Sequence, residues 1–274
     1  MSNNLLAGKR GIITGALDEN SIAWKVALKA HEQGAKIVLT NAPIAMRMGE
    51  INKLAALTNA QIVPADATSV EELTNLFTKS QEILGGKIDF VLHSIGMSPN
   101  IRKNIPYTEL NYDFYNKSID ISALSLHKML SVAYKLDAMN EWGSVVALSY
   151  IAAQRTYPFY TDMADAKAVL ESICRSFGYH YGKSNHVRVN SISQSPTKTT
   201  AGSGIKGFGD FYDYADNISP LGNASAESCA DYCISMFSDL TRMVNMQNLY
   251  HDGGYSNTGV SMEMMEMLGK IPTE

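Results

Sequence analysis

Short runs of apolar, often β-branched residues alternate with longer segments of helical period along the chain. The runs that predict strands span residues 11–14, 35–40, 61–64, 88–93, 144–149, 187–192 and 247–251. Apolar residues recur at helical spacing over about 22–33, 43–58, 69–84, 109–136, 160–182 and 225–238, whereas 195–220 is irregular. The first four strands lack polar alternation, which predicts burial of both their faces.

This order of elements is typical of repeated βαβ units. No linker, charge block or internal repeat divides the chain. We therefore predict an α/β fold with one domain over residues 1–274: a doubly wound, Rossmann-like, seven-stranded parallel sheet with helices on both faces. Such sheets bind ligands at the carboxyl ends of the strands, so the chemistry is expected after strands one, three, four, five and six.

Composition and charge exclude several classes of function. The chain has 23 basic and 27 acidic residues, a net charge of -4, and no basic stripe, which argues against a nucleic-acid partner. No apolar stretch approaches a membrane span, and the N-terminus does not resemble a secretory signal. Cys174, Cys229 and Cys233 lack metal-site spacing and the six histidines are scattered, so we expect no metal site and a reducing, cytoplasmic location.

A glycine turn follows the first strand. The sequence runs from Thr14 and Gly15 to Ser21 and Ala23, where a helix begins. Glycine lets the backbone approach a pyrophosphate, and a helix N-terminus favours its negative charge. The segment lacks the full GxGxxG pattern, so an ordinary βα turn capped by Ser21 is an equal alternative.

The next strand ends supply weaker signals. Thr40 is followed by Asn41-Ala42-Pro43, with no carboxylate for a ribose hydroxyl, and Arg47 is distant. Asp66-Ala67 follows the third strand and could contact an adenine; the alternative for Asp66 is a charge at a helix N-terminus. Gly96 follows the fourth strand and would permit close approach of a cofactor.

Tyr160 and Lys167 stand seven residues apart in the helix after the fifth strand. That spacing is two helical turns, so the two side chains share a face. A nearby ammonium favours the phenolate and strengthens the phenol as a donor to a developing oxyanion. The spacing is common by chance, and its place at the carboxyl edge of the sheet gives it weight.

Together these motifs resemble the short-chain dehydrogenase/reductase superfamily, and within it the bacterial enoyl-acyl-carrier-protein reductases. The likeness covers nearly the whole chain. Tyr150, Tyr160 and Lys167 are similar to that subgroup's Y-x9-Y-x6-K signature, and Ala147 replaces the serine of ordinary carbonyl reductases. Further similar segments are Gly15-x5-Ser21-x-Ala23, His93-Ser94-Ile95-Gly96, Val187 to Ser193 with Pro196, Ser203-Gly204-Ile205-Lys206 and His251-Asp252-Gly253-Gly254-Tyr255.

The resemblance implies roles for individual residues. Tyr160 would stabilise the enolate, Lys167 would support it and bind the nicotinamide ribose, and Tyr150 would line the acyl site with Ser98. The implied cofactor contacts are Gly15, Ser21 and Ile22 at the pyrophosphate, Asp66 and Ala67 at the adenine, Ser94, Ile95 and Gly96 at the inner cofactor, and Thr197, Lys198, Thr199, Thr200 and Ala201 at the nicotinamide. Aromatic packing is the alternative for Tyr150 and Tyr157.

The implied activity is reduction of the 2,3 double bond of an enoyl thioester on acyl-carrier protein, with NADH preferred over NADPH because no basic pair follows Thr40. The family also implies a homotetramer. Reduction of a ketone, or oxidation of an alcohol, is an alternative that Ala147 disfavours. A non-catalytic dinucleotide-binding protein is another alternative, which Tyr160 and Lys167 disfavour.

The segment 195–220, which the resemblance makes a substrate lid, departs from the family. Ser195-Pro196 stands where Gly-Pro is common, and the segment carries two lysines against three aspartates. Docking of an acidic carrier protein should therefore be electrostatically weaker here, or use other residues. The sequence does not define the preferred acyl chain length.

Overall fold

All seven strands lie in one parallel sheet, in the order β3-β2-β1-β4-β5-β6-β7, which confirms the predicted fold class. The fold comes from a computed structural model that describes residues 3–47, 50–203 and 207–269. The strands are Arg10–Thr14 (β1), Lys36–Thr40 (β2), Gln61–Ile62 (β3), Ile88–His93 (β4), Met139–Ser149 (β5), Arg188–Gln194 (β6) and Asn248–His251 (β7).

Helices cover both faces of the sheet. They are Ile22–Glu32 (α1), Pro43–Met46 (α2), Ile51–Thr58 (α3), Val70–Leu84 (α4), Pro99–Arg102 (α5), Tyr112–Ile119 (α6), Ser125–Lys135 (α7), Thr161–Asn185 (α8), Thr200–Ser203 (α9), Phe208–Ile218 (α10), Ala226–Phe237 (α11) and Met262–Met267 (α12). No helix in the described ranges is long and apolar enough to cross a membrane.

Two apolar cores lie on opposite faces of the sheet. One contains Leu76 of α4, Leu130 of α7 and Leu170 of α8. The other contains Trp24 of α1 and Phe237 of α11, whose ring stacks on a phenylalanine of β4. Burial of both faces explains the nearly continuous apolar runs of the central strands.

The structure corrects four expectations about elements. A strand lies within 61–64 as predicted, but the expected burial of both its faces was wrong, because β3 is a two-residue edge strand whose Gln61 is exposed and whose Ile62 is only partly buried. The described residues within 43–58 form two helices, α2 and α3, and the backbone N–H of Glu50 donates to the Leu17 carbonyl outside either helix. Whether an edge strand is buried, and whether a helix continues without a break, depends on contacts with residues distant in sequence. Local sequence pattern does not report those contacts.

The other two corrections concern helices near the sheet's carboxyl edge. The predicted helix 109–136 is interrupted by a π-helical turn, Asp120–Leu124, between α6 and α7. The segment 195–220 was expected to be irregular, yet it contains α9 and the eleven-residue helix α10. Residues 204–206 of the resemblance motif lie outside the described residues.

Candidate active site at the carboxyl edge of the sheet

Gly15 brings the turn after β1 against the end of β4. Its φ is +82°, and a Cβ at this position would lie 1.9 Å from the Ser94 carbonyl oxygen. The Thr14 hydroxyl accepts from the Ser94 N–H at 3.1 Å and donates to the Leu92 carbonyl, which holds the two strand ends together. Only glycine fits this turn, since any side chain would displace Ser94.

Ser21 begins α1 but does not cap it with its side chain. Its hydroxyl donates to the Asp18 carbonyl at 2.7 Å and accepts from the Leu17 N–H at 3.3 Å. The alternative in which Ser21 caps the helix is therefore not what the structure shows. The Ser21 side chain leaves the N-terminus of α1, including the position of Ile22, available to an anion.

Asp66 is partly buried at the turn that precedes α4. Its Oδ1 accepts from the Thr68 N–H at 2.9 Å and from the Thr68 hydroxyl at 2.8 Å, while its own N–H donates to Glu72. These contacts match the alternative interpretation of Asp66 as a residue of the helix N-terminus, and they leave an adenine contact as a prediction. Ala67 packs against the core beneath it.

Gly96 lies beside Lys167. A Cβ at Gly96 would be 3.7 Å from Lys167 Nζ and 3.3 Å from the Met163 methyl group. Ser94 and Ile95 are partly exposed, and Gly96 is exposed. The end of β4 thus connects the glycine turn with the helix α8.

The Lys167 ammonium is buried and donates to the Leu148 carbonyl at 2.8 Å. Burial lowers the pKa of Lys167 to about 8, although the negative charge of Glu171 acts in the opposite direction and raises it. Part of the lysine population is therefore neutral just above physiological pH, so its charge is sensitive to the surroundings.

Tyr160 immediately precedes α8, and its ring centroid lies 4.8 Å from that of Tyr150. Burial raises the pKa of Tyr160 above its ordinary value. Burial, with neighbouring tyrosines, also raises the pKa of Tyr150. Both phenols are consequently protonated at neutral pH and can act as hydrogen-bond donors; the phenolate that Lys167 would favour is not the resting form.

Tyr150 and Tyr160 belong to an aromatic cluster of five rings. Tyr157 connects them to α10 and to the segment after β7, since its hydroxyl donates to Tyr255 at 2.6 Å and its ring packs edge-on against Phe211 at 5.3 Å. The cluster consists of Tyr150, Tyr157, Tyr160, Phe211 and Tyr255. Packing, the alternative for Tyr150 and Tyr157, is thus observed, and it leaves their partly buried rings at the edge of the site.

The segment after β6 crosses to the glycine turn. Thr200 donates to Asp18 at 2.6 Å, and Thr197 accepts from Gln194 at 3.1 Å. Lys198 Nζ lies 4.1 Å from the centre of the Tyr212 ring in α10. Thr199 accepts from the Gly202 N–H, and the Ala201 side chain lies outside the described residues. The segment therefore closes over the turn after β1.

Ser98 is buried, and its hydroxyl donates to Asp162 at 2.6 Å while it accepts from the Ile101 N–H. Its predicted contact with substrate stays a prediction. Asp162, fully buried, is one of two carboxylates that sequence reasoning missed. The other is Glu171, which accepts from Ser149 at 2.7 Å and from Gln154 at 2.9 Å. The sequence could have predicted Glu171, because it stands four residues after Lys167 and therefore shares its helical face.

The sheet, the glycine turn after β1, Tyr160 just before α8 and Lys167 within α8 define a short-chain dehydrogenase/reductase. A model of the family described as Enoyl-(Acyl carrier protein) reductase matches residues 15–256, and the chain belongs to this family.

Relatives agree over almost the full length. The chain is 35% identical to an enoyl-[acyl-carrier-protein] reductase [NADH] FabI of Rickettsia bellii, over 94% of this chain and 98% of the relative. It resembles a crystal structure of a FabI–NADH complex from Alistipes finegoldii with a TM-score of 0.93 and 64% identity, over 94% of this chain and 91% of that one. A second FabI structure from that organism gives 0.92 and 59%, with 98% of each chain covered.

Proposed function

We propose that this chain uses NADH to reduce the 2,3 double bond of a 2-enoyl thioester on acyl-carrier protein, in fatty-acid synthesis. One observation carries the proposal: the end of β4 joins the two halves of the site. Ser94 touches the glycine turn at Gly15, and Gly96, two residues on, lies beside Lys167. A dinucleotide would lie along this edge, held by the turn at one end and by the Tyr–Lys pair at the other.

The residues at the carboxyl edge fit a polar dinucleotide. Thr40 Oγ1, His93 Nδ1 and Ser193 Oγ are buried there without a hydrogen-bond partner among the described residues. Buried polar atoms normally have partners, so their positions suit a polar ligand. Gly15, Ser21 and Ile22 would hold the pyrophosphate, Asp66 and Ala67 the adenine, Ser94 to Gly96 the inner cofactor, and Thr197 to Ala201 the nicotinamide side.

The preference for NADH is supported by the residues after β2. The Asn41 amide donates to the Ala16 carbonyl at 3.1 Å, and its oxygen accepts from the Ala42 N–H. Asn41 is thus held by the turn. A 2′-phosphate would need a cation, and the three residues that follow Thr40 supply none.

NADH, when bound, supplies the hydride that reaches C3 of the enoyl thioester. Negative charge then develops on the thioester oxygen, where the protonated Tyr160 phenol donates a hydrogen bond. Lys167 adds positive charge beneath the site and binds the nicotinamide ribose, and Tyr150 lines the acyl side with Ser98. A proton added at C2 completes the saturated thioester.

The loss of reduced-nicotinamide absorbance tests this function with a crotonyl thioester and a panel of ketones and alcohols measured in parallel. We expect turnover of the thioester, a loss of about a hundredfold or more in kcat for Tyr160→Phe and Lys167→Ala, and unchanged folding. Tyr179→Phe and Lys183→Ala are matched controls, because both residues are exposed on the same helix. Wild-type turnover in Lys167→Ala, or turnover of ketones alone, would contradict the proposal.

Three further parts of the proposal concern the assembly. The substrate is expected on acyl-carrier protein, the chain is expected to form a homotetramer, and its location is expected to be cytoplasmic. The lid helix α10 carries Asp210, Asp213 and Asp216, and it supplies no basic residue for an acidic carrier. Light scattering tests the tetramer, and a monomer would contradict it.

A further inference from the structure

A buried carboxylate lies two residues beyond Tyr160. Asp162 Oδ1 accepts from the hydroxyls of Ser98 at 2.6 Å and Thr161 at 3.0 Å. Its Oδ2 accepts from the Asn100 amide at 2.9 Å and from the Ser118 hydroxyl at 2.7 Å. The Ser118 hydroxyl has one hydrogen, which it shares between Asp162 and the Phe114 carbonyl. We call these five residues the carboxylate network.

The hydrogen-bond partners of Asp162 within the described ranges are all neutral, although Asp162, Asn100 and Ser118 are completely buried. Burying a carboxylate without a cation is costly, and hydrogen bonds to a charged acceptor are short and strong. Replacing the Asp162 carboxylate by a group that accepts fewer hydrogen bonds would therefore leave buried donors without a partner. The donors of the network come from three segments: the turn at α5, the helix α6 and the start of α8.

Thr161 stands between Tyr160 and Asp162 with a φ of +33°. A β-branched residue rarely has positive φ, and such strain persists only where the surroundings determine the conformation. Here the Thr161 hydroxyl bonds to Asp162, and the Met163 N–H donates to the Tyr160 carbonyl at 3.0 Å. The backbone that directs the Tyr160 ring is thus held by the carboxylate network.

The same carboxylate holds the surface against which Tyr160 packs. The Tyr160 ring contacts a small apolar group formed by Ile101, Met163 and Ala166. Ile101 lies in α5, and Ser98 caps that helix, since its hydroxyl accepts from the Ile101 N–H at 3.0 Å. Moving Asp162 would therefore shift both Tyr160 and its neighbour.

We propose that Asp162 is a positioning residue, whose buried carboxylate fixes the Tyr160 phenol relative to the turn that begins at Ser98. This inference rests on the proposed function, in which Tyr160 donates to the thioester oxygen. Asp162 has no part in the chemistry itself. It sets the geometry on which the hydrogen bond of Tyr160 depends, and a displacement of about 1 Å can reduce turnover a hundredfold.

Exchanging the acceptor Asp162 and the donor Asn100 tests the hydrogen bond between them, because the sizes and the burial of the two side chains stay nearly the same. Asp162→Asn is nearly isosteric, but it points an amide N–H at a donor such as Asn100. Asn100→Asp alone points one carboxylate at another. The combination Asn100→Asp with Asp162→Asn restores one acceptor facing one donor. The new carboxylate can still accept from the Asn111 N–H that Asn100 binds at 3.2 Å, although the 3.3 Å bond from the Asn100 amide to the Asn111 carbonyl is lost.

Steady-state kinetics with a crotonyl thioester, together with NADH fluorescence titration, test the proposal. We expect each single variant to lose about a hundredfold in kcat, with NADH affinity within about twofold of wild type, and the double variant to recover to within about fivefold. A merely structural role would reduce NADH binding and kcat together. Wild-type kcat in Asp162→Asn, or a double variant no better than the single ones, would overturn the proposal.

Two measurements keep the proposal testable if Asp162→Asn does not fold or if the substrate is different. Thr161→Val keeps the branched side chain and loses the hydroxyl, whereas Thr161→Gly loses both the hydroxyl and the strain; we expect the valine variant to lose more kcat. Crystal structures of wild type and the variants should show the Tyr160 ring displaced in Asp162→Asn and restored in the double variant. An undisplaced Tyr160 would refute the positioning role whatever the enzyme reduces.

Discussion

Replacing Gly15 with alanine should damage both the fold and the binding of NADH. Two costs combine at this position. A φ of +82° costs a residue with a Cβ about 1–2 kcal/mol. The new Cβ would also lie 1.9 Å from the Ser94 carbonyl oxygen, so one strand end must move by about 1 Å, which adds about 1–3 kcal/mol.

Gly85→Ala is a matched control, because Gly85 has a φ of +74° but no atom within 4 Å of the added Cβ. It should show the cost of the backbone conformation alone. At roughly 3 °C per kcal/mol, we expect the melting temperature to fall by about 3–6 °C for Gly85→Ala and by about 6–15 °C for Gly15→Ala. Thermal unfolding followed by dye fluorescence measures both.

NADH titration gives the functional part of the prediction. Displacement of Ser94 moves the edge along which the dinucleotide is proposed to lie, so we expect affinity to fall at least tenfold, about 1.4 kcal/mol, in Gly15→Ala. Gly85→Ala, at the far end of α4, should bind normally. If Gly15→Ala had the same melting temperature as Gly85→Ala and wild-type affinity for NADH, then the close contact between Gly15 and Ser94 would contribute neither to stability nor to NADH binding.

Three other predictions concern Lys167, Thr200 and helix α10. Since burial lowers the pKa of Lys167 to about 8, its ammonium is lost as pH rises through that value, and kcat/KM should fall above about pH 8; a pH profile measures this. Thr200→Val removes the donor to Asp18 and should raise KM for NADH about threefold to tenfold in steady-state assays. With carrier-bound substrate, KM should not rise when salt is added, because the acidic helix α10 offers no attraction to screen; initial rates across a salt series measure it.

Each of these has a control. Lys167→Arg stays charged across the range and should abolish the alkaline decline, whereas a flat wild-type profile to pH 10 would contradict the assignment. Thr74→Val removes an exposed hydroxyl that bonds only within α4, and it should leave KM unchanged. A steep rise of KM with salt would reveal a basic docking surface outside α10.

The parts of the fold that the sequence predicts well are those that local pattern determines. Central strands such as β4 are apolar because both faces are buried, and Ser69 caps α4 by accepting from the Glu72 N–H. The helix α10 was missed because Gly207 and Gly209 surround its start and because Ala215 is its one buried residue, whereas its aromatic residues are partly buried or exposed.

The candidate site divides in the same way. Gly15, Tyr160 and Lys167 follow strand ends, and topology alone brings them to one edge. Asp162 was not predictable, since an acidic residue in a first helical turn is ordinarily exposed and its burial depends on donors more than 40 residues away in sequence. Tyr157 and Tyr255 are 98 residues apart in sequence, so no local pattern predicts their contact.

The π-helical turn Asp120–Leu124 has a consequence for insertions and deletions. Ser122 within it donates to the Met97 carbonyl and accepts from the Met97 N–H, so the turn supports the loop after β4. Each residue of an α-helix advances about 100° around the axis. A π turn takes up one residue more than an α-helical turn, so deleting one residue there would make the helix regular and leave the buried face of α7, with Leu126 and Leu130, against the core. A one-residue deletion within the regular part of α7 would instead rotate the residues that follow it by about 100°. We therefore expect a deletion in the turn to disturb the contact of Ser122 with Met97 at the site, and to leave the core packing of α7 in place.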